Sequence, residues 1–144
     1  MAKLSINESA NSFWTDVVIV DFNDLIAIGN GGQRTIAAIP PNGALEASCV
    51  WKITAAAGST SVVFDVGTTA ADPDEFIDAL DADGVTVPIF NTGDQFTSGY
   101  SKFVGGSVAG APVLLEVNDA AVTSLTAGKW GIGLRIINLS QYND

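Results

Sequence analysis

The segment Ala44–Ala55, which reads ALEASCVWKITA, decides the fold class. Small or apolar side chains at every second position alternate with mostly polar ones. The first set is Leu45, Ala47, Cys49, Trp51 and Ile53, the second is Glu46, Ser48, Lys52 and Thr54, and Val50 is the exception. A period of two is typical of a β-strand with one face on a core and the other toward solvent. We therefore expect a long strand whose buried face includes Cys49 and Trp51.

The segment Ser61–Val66 continues this pattern, with Val62, Phe64 and Val66 on one side and Asp65 on the other. The link 57–60 is short enough for a hairpin, so these two strands are predicted to pair antiparallel. Further predicted strands are Thr15–Phe22, Thr35–Ile39, Val85–Phe90, Pro112–Val117 and Gly131–Leu139. In the last of these, Gly131 and Gly133 leave room for a close contact with the backbone.

One short helix is predicted over Asp72–Leu80. Asp72 suits the N-cap, Pro73 suits the first helical position, and Glu75 falls where a capping box needs it. Short strands joined by turns indicate two packed sheets. The predicted fold is an all-β antiparallel β-sandwich, jelly-roll-like, with one short helix. Residues 1–12 are expected to form an N-terminal arm and 13–144 a single domain.

Composition excludes several functions. The chain has 16 Asp and Glu against 6 Lys and Arg, a net charge of −10, so it should repel nucleic acid and anionic lipid. No apolar run approaches the roughly 20 residues that a membrane helix needs. Histidine is absent, which removes Ser-His-Asp and Cys-His catalysis within one subunit and the commonest zinc sites. We expect no catalytic residue, no cofactor and no metal ligand.

Two groups of acids are candidate sites. Asp65 and Glu116 each interrupt an apolar strand, and paired carboxylates could serve a glycosidase, but both match the solvent-facing side of their strands. The acidic segment Asp72–Asp83 could bind a cation, although Ala79 and Phe90 stand where a calcium loop needs acids. A capped helix and a turn explain that segment without a cation, and the cation stays an open alternative.

Aromatic residues supply the candidate binding surface. Trp51 and Trp130 are predicted to lie in the core, and Cys49 is predicted to be a buried structural thiol. Phe13 and Trp14 stand at the root of the predicted arm, where exposed aromatic side chains are common anchors of protein interfaces. We expect Phe13 and Trp14 to form a partner interface.

Two adjoining stretches, VVFDVGTT at 62–69 and DPDEFIDA at 72–79, carry a family resemblance. Together they resemble small β-sandwich virion proteins of tailed bacteriophages, of the capsid decoration (cement) or head-fibre type, and the likeness extends over most of 44–139. The resemblance implies a structural protein, made in the host cytoplasm and located on the capsid surface. Its implied partners are the major capsid protein and further copies of itself, often as a trimer. A receptor- or glycan-binding module of a phage fibre or tail is the alternative.

Overall fold

The computed structural model describes residues 2–3, 13–90, 92–93, 104–107 and 109–139. Within them the chain forms two antiparallel sheets, one six-stranded and one four-stranded, with one short α-helix. The prediction of an all-β sandwich with a single short helix is confirmed. The helix, however, is not the one that the sequence predicted.

The six-stranded sheet contains β1 (Ala2–Lys3), β2 (Asp16–Asp21), β4 (Gly43–Ala57), β7 (Ile89–Phe90), β8 (Val104–Ser107) and β10 (Ala127–Asn138). Its order is β1-β2-β10-β4-β7, and β8 also pairs with β4. The four-stranded sheet contains β3 (Gly32–Ile39), β5 (Val63–Gly67), β6 (Ile77–Asp81) and β9 (Ala111–Asn118), in the order β3-β9-β5-β6. Helix α1 (Phe22–Ile28) follows β2, and a 3-10 turn (Val122–Ser124) precedes β10.

The core lies between the two sheets. Strand β10 contributes the fully buried side chains of Trp130, Ile132 and Leu134, and β9 contributes those of Val113, Leu115 and Val117. Trp130 was predicted to be a core residue, and this is confirmed. Its indole Nε1 donates to the backbone oxygen of Ala82 at 2.8 Å, and its ring meets that of Phe64 edge to face at 5.4 Å. Each such fully buried side chain contributes about 1.5–3 kcal/mol of hydrophobic stabilisation.

Strand β4 changes which side faces the core. Its register with β10 shifts where Leu45 lies opposite Ile136 and Ala47 lies opposite Arg135, which is a β-bulge. Leu45 packs in the core, but after the bulge Val50 takes that place, and Ser48 is buried as well. The predicted alternation is therefore wrong beyond Glu46, because one extra residue exchanges the two faces.

The predicted hairpin between Ala44–Ala55 and Ser61–Val66 is also wrong. Strand β4 pairs with β10, β7 and β8, whereas β5 pairs with β6 and β9 in the other sheet. Gly58 has a φ of 89° where the chain leaves β4. A Cβ there would lie 1.9 Å from the backbone oxygen of Ser124, so the link passes too close to the 3-10 turn for any larger residue.

The helix predicted over Asp72–Leu80 does not form. The carboxylate of Glu75 accepts hydrogen bonds from Thr68 N (2.9 Å), Thr68 Oγ1 (3.1 Å) and Thr69 Oγ1, so it binds the preceding loop and caps no helix. Residues Ile77–Asp81 then form strand β6 beside β5. Tertiary pairing has overridden a good local helix signal.

The capping box belongs to α1. Asp21 accepts hydrogen bonds from Asn23 N (2.9 Å) and Asp24 N (3.1 Å), and Asp24 Oδ2 accepts from Asp21 N at 3.1 Å. Because α1 begins after Asp21, the strand predicted over Thr15–Phe22 ends at Asp21. A separate difference concerns the strand predicted over Val85–Phe90, of which only Ile89–Phe90 forms a strand.

The ends of the chain are described only in part. Ala2 and Lys3 lie opposite Ile19 and Val18 and add a two-residue edge strand to β2. Residues 4–12, the rest of the predicted arm, lie outside the described residues. In the part of the chain that the structure describes, no helix is long and apolar enough to cross a membrane.

Candidate interaction surface

The outer face of the six-stranded sheet, away from the core, is apolar. Val17, Gly133, Cys49 and Phe90 occupy opposed positions on neighbouring strands, and Ile19, Gly131 and Trp51 do the same in the next row. Antiparallel sheets commonly present one such face to water and line it with polar side chains. Val17, Ile19 and Cys49 are themselves buried, so the area open to a partner is that of the larger apolar side chains beside them. An exposed apolar patch of this kind marks an interaction surface.

At two glycines of β10, aromatic rings lie directly against the backbone of this face. A Cβ on Gly131 would lie 2.1 Å from Trp51 Cζ2, and a Cβ on Gly133 would lie 2.9 Å from Trp14 Cδ2. A side chain at either position would meet an indole ring, so the glycines allow both rings to approach the sheet closely. The sequence correctly predicted a close contact at these glycines but did not say which residues would make it.

Further apolar side chains lie beside the two tryptophans. Phe13 meets Trp14 edge to face with ring centroids 4.8 Å apart, and Trp14 stacks on Phe90 at 6.0 Å with 24° between the ring planes. Ile53 follows Trp51 by two residues on β4 and lies at a second register shift with β10, between Lys52 opposite Trp130 and Thr54 opposite Lys129. Phe13, Ile53 and Phe90 remain 50%, 46% and 56% exposed. We call these five residues, Phe13, Trp14, Trp51, Ile53 and Phe90, the aromatic face.

Phe13 and Trp14 are held on the sheet through Thr15. Thr15 N and Oγ1 both donate to the backbone oxygen of Leu134, at 3.0 and 3.1 Å, and Thr15 Oγ1 accepts from Ile136 N at 2.8 Å. The residues before β2 therefore continue along β10. This backbone attachment holds the segment that carries Phe13 and Trp14 against β10.

Arg135 fixes the same segment from the sheet side. Its Nη1 donates to the backbone oxygen of Phe13 at 2.7 Å, and its guanidinium lies 4.8 Å from the centre of the Phe13 ring. Its Nε donates to Glu46 Oε2, also at 2.7 Å. Arg135 thus joins a cation–π contact, a backbone bond and an ion pair, and it gives the charge of Glu46 a partner.

The sequence located part of this surface. It proposed Phe13 and Trp14, which the structure places in contact, but it placed Trp51 in the core, where Trp51 does not lie. Ile53, Phe90 and Arg135 were missed. Arg135 carried no local signal, since a single cation in an apolar strand also fits an ordinary solvent-facing position.

Cys49 is the buried thiol that the sequence predicted, although it lies on the outer side of the sheet. It is 2% exposed, and burial raises its pKa to about 11. The thiolate is scarce at neutral pH because burial disfavours the charged form. Cys49 therefore acts here as a small apolar residue.

Asp65 and Glu116 come together on the outer face of the four-stranded sheet. They lie directly opposite each other on β5 and β9. Asn118 Nδ2 donates to both, at 2.8 Å to Asp65 Oδ2 and 3.0 Å to Glu116 Oε1. Gln33 Nε2 donates to Glu116 Oε2 at 2.6 Å, and Ala79 N donates to Asp65 Oδ1. Each of the four carboxylate oxygens thus accepts a hydrogen bond from a group of the sheet.

The environment of Asp65 differs from the predicted one. The sequence placed its side chain in solvent, but the residue is only 8% exposed. Burial raises its pKa, and the nearby charges of Glu116 and Asp78 add to the rise, while the hydrogen bonds from Ala79 and Asn118 oppose it. Ala79 has a φ of 46°, outside regular strand geometry, so Asp65 accepts an N–H that the irregular β6 would otherwise leave unpaired. The Asp65–Glu116 pair therefore joins all four strands of this sheet through side-chain hydrogen bonds.

The acidic segment Asp72–Asp83 is engaged in turns. Asp81 Oδ1 accepts from Gly84 N at 2.9 Å, and Asp83 Oδ1 accepts from Ala56 N at 3.1 Å. Lys52 Nζ also donates to the backbone oxygen of Asp83. Within the described ranges, no group of three or more Asp, Glu, Cys or His side chains could hold a metal ion.

The fold and the aromatic face together describe the class of this protein, an antiparallel β-sandwich with an aromatic outer face. No protein-family model matches the chain, and no curated protein matches its sequence. A solved structure with a similar fold is the cyanophage Pam1 capsid asymmetric unit, one chain of which superposes with a TM-score of 0.54 at 15% sequence identity. The match covers 92% of this chain and 91% of that chain. At this identity the likeness establishes the shared fold.

Proposed function

We propose that this chain is a capsid decoration (cement) protein of a tailed bacteriophage. In this role it binds the outer surface of the head, contacts the major capsid protein, and stabilises the shell without turning over a substrate. It is made in the host cytoplasm and ends on the virion surface, as a homo-oligomer for which we favour a trimer.

The single observation that carries this proposal is the similarity to a chain of the Pam1 capsid asymmetric unit. It spans nearly the whole of both chains, so the resemblance is of complete domains rather than of a shared hairpin. The residues at 62–79 resemble small virion proteins and support the same class, although the helix predicted within them does not form. A fold alone does not fix a function, and the exposed aromatic side chains supply the second requirement, a surface built for contact.

A decoration protein can bind its shell through weak individual contacts, because the binding sites are repeated. A shell offers many equivalent sites, and an oligomer that engages several of them gains avidity without any additional contact. The net charge of −10 suits a protein that must stay soluble at high concentration before it assembles.

A receptor- or glycan-binding module of a fibre or tail is the second candidate. The stacked rings of Trp14 and Phe90 favour it, since paired aromatic rings offer an apolar surface on which flat ligands can lie. The two functions differ in what they bind, namely the phage's own shell or the host envelope.

The test uses phage heads that lack the protein. Purified protein is mixed with these heads, bound protein is quantified after sedimentation, and decorated heads are imaged by electron cryomicroscopy. We expect saturable binding at symmetry-related positions and heads that resist heating better than bare ones. Binding to host envelope glycans with none to heads would overturn the proposal in favour of the second candidate.

A further inference from the structure

We infer that the aromatic face is the surface that seats on the outside of the major capsid protein, so that the four-stranded sheet points away from the shell. This inference rests on the proposed function and adds an orientation to it. It assigns the face one occupant, a capsid surface of aliphatic side chains and uncharged polar groups.

The distribution of charge supports this orientation. The four-stranded sheet carries the close carboxylate pair Asp65–Glu116 on its outer face and the exposed acids Asp78 and Asp81 on β6. Asp65 is already buried and each oxygen of the pair accepts a hydrogen bond, so the cost of covering this side comes from the exposed like charges of Asp78 and Asp81, which would lose water. This sheet is therefore suited to remain in water.

Two acids of the six-stranded sheet, by contrast, already have partners. Glu46 is paired at 2.7 Å with Arg135, the same residue that holds Phe13. Asp21, at the end of β2, is already engaged as the N-cap of α1. A partner that covers the rings therefore leaves neither of these charges without its own contact.

The rings are also held in place before any partner arrives. Trp14 and Trp51 lie close over Gly133 and Gly131, and Arg135 holds the backbone of Phe13. Little side-chain freedom remains to be lost on binding, and preorganised Trp and Arg side chains are the residue types that carry most interface energy. The exposed parts of Phe13, Ile53 and Phe90 are the area left for a partner.

The experiment introduces one negative charge at a time. F90D and I53D place a carboxylate on the aromatic face, at side chains that are 56% and 46% exposed. V87D is the matched control, since Val87 is 60% exposed and lies outside the aromatic face. T35D adds the same charge to the four-stranded sheet, where Thr35 is exposed. Each variant is first compared with the wild type for melting temperature and molar mass in solution.

We expect F90D and I53D to raise the concentration for half-saturation of bare heads by about 10- to 100-fold, as for a central interface residue. V87D and T35D should bind within about twofold of the wild type. Two aromatic-face variants are used so that a folding defect in one still leaves the other informative. Their molar masses should match that of the wild type, and F90D, which loses the stacking of Phe90 on Trp14, should melt only a few degrees lower.

Other outcomes separate the alternatives. If the wild type does not bind heads, the proposed function fails. If the wild type binds and both aromatic-face variants bind equally well, the function stands and the orientation is wrong. If F90D or I53D instead breaks a wild-type oligomer into monomers, the face belongs to a second copy of the chain. If both bind heads normally but lose binding to a glycan array, the face serves sugars. Each of the last two results overturns the inference.

Discussion

Replacing Gly131 with alanine tests whether the absence of a side chain at this position allows the ring of Trp51 to lie close to the sheet. The new Cβ would lie 2.1 Å from Cζ2 and 2.2 Å from Cε2 of that ring. Because carbon atoms in contact are about 3.5–4.0 Å apart, the indole must retreat by more than ~1 Å. Overpacking of this kind costs about 1–3 kcal/mol, so we expect G131A to lower the melting temperature by about 3–10 °C.

A double-mutant cycle isolates the steric part of that cost. In a W51A background the clash is gone, and G131A should stabilise the protein by about 0.5–1 kcal/mol because alanine loses less backbone entropy than glycine in a strand. The coupling free energy should therefore be about 2 kcal/mol or more, measured by urea denaturation of the four proteins. The milder G133A, with its nearest ring atom at 2.9 Å, should cost less than G131A. Additive effects of G131A and W51A would refute this role of the glycine.

Two further predictions concern the interior and the carboxylate pair. W130F removes the indole that donates to the backbone oxygen of Ala82 and leaves a small cavity, so it should cost about 2–4 kcal/mol in urea denaturation; a cost below about 1 kcal/mol would contradict this. The raised pKa of Asp65 means that the folded state holds this proton more tightly than the unfolded state does. The resulting stability is fully present below the ordinary pKa of about 3.9 and is lost as the pH rises through the raised value. D65N should remove this part of the pH dependence, and an unchanged profile would contradict the raised pKa of Asp65.

The sequence predicted the layers of this fold better than its connections. Period-two patterns located β4, β5, β9 and β10, because alternation follows from strand geometry alone. The partner of each strand depends on contacts between distant residues, and a short link after β4 wrongly indicated a hairpin. The helix prediction failed for a related reason: the carboxylate of Glu75 had better partners in the loop at Thr68 than at a helix end.

The candidate surface likewise combines residues that the sequence could propose with one that only the structure could place there. A contact surface at Phe13 and Trp14 could be proposed from their position beside the predicted arm. That Trp51 joins them depends on the bulge beside Glu46, which exchanges the two faces of β4. A bulge adds one residue and leaves no mark in a pattern of alternating side chains.

The sequence alone determined the class: an acidic, histidine-free chain of alternating strands, which must bury one face of each strand and so folds into stacked sheets. Only the tertiary structure decided which side of the long strand faces the core, and that Asp65 and Glu116 meet across two strands. The physical reason is that alternation is a local property of the backbone. Register, by contrast, is settled by distant strands, and a shift of one residue moves every side chain to the opposite face.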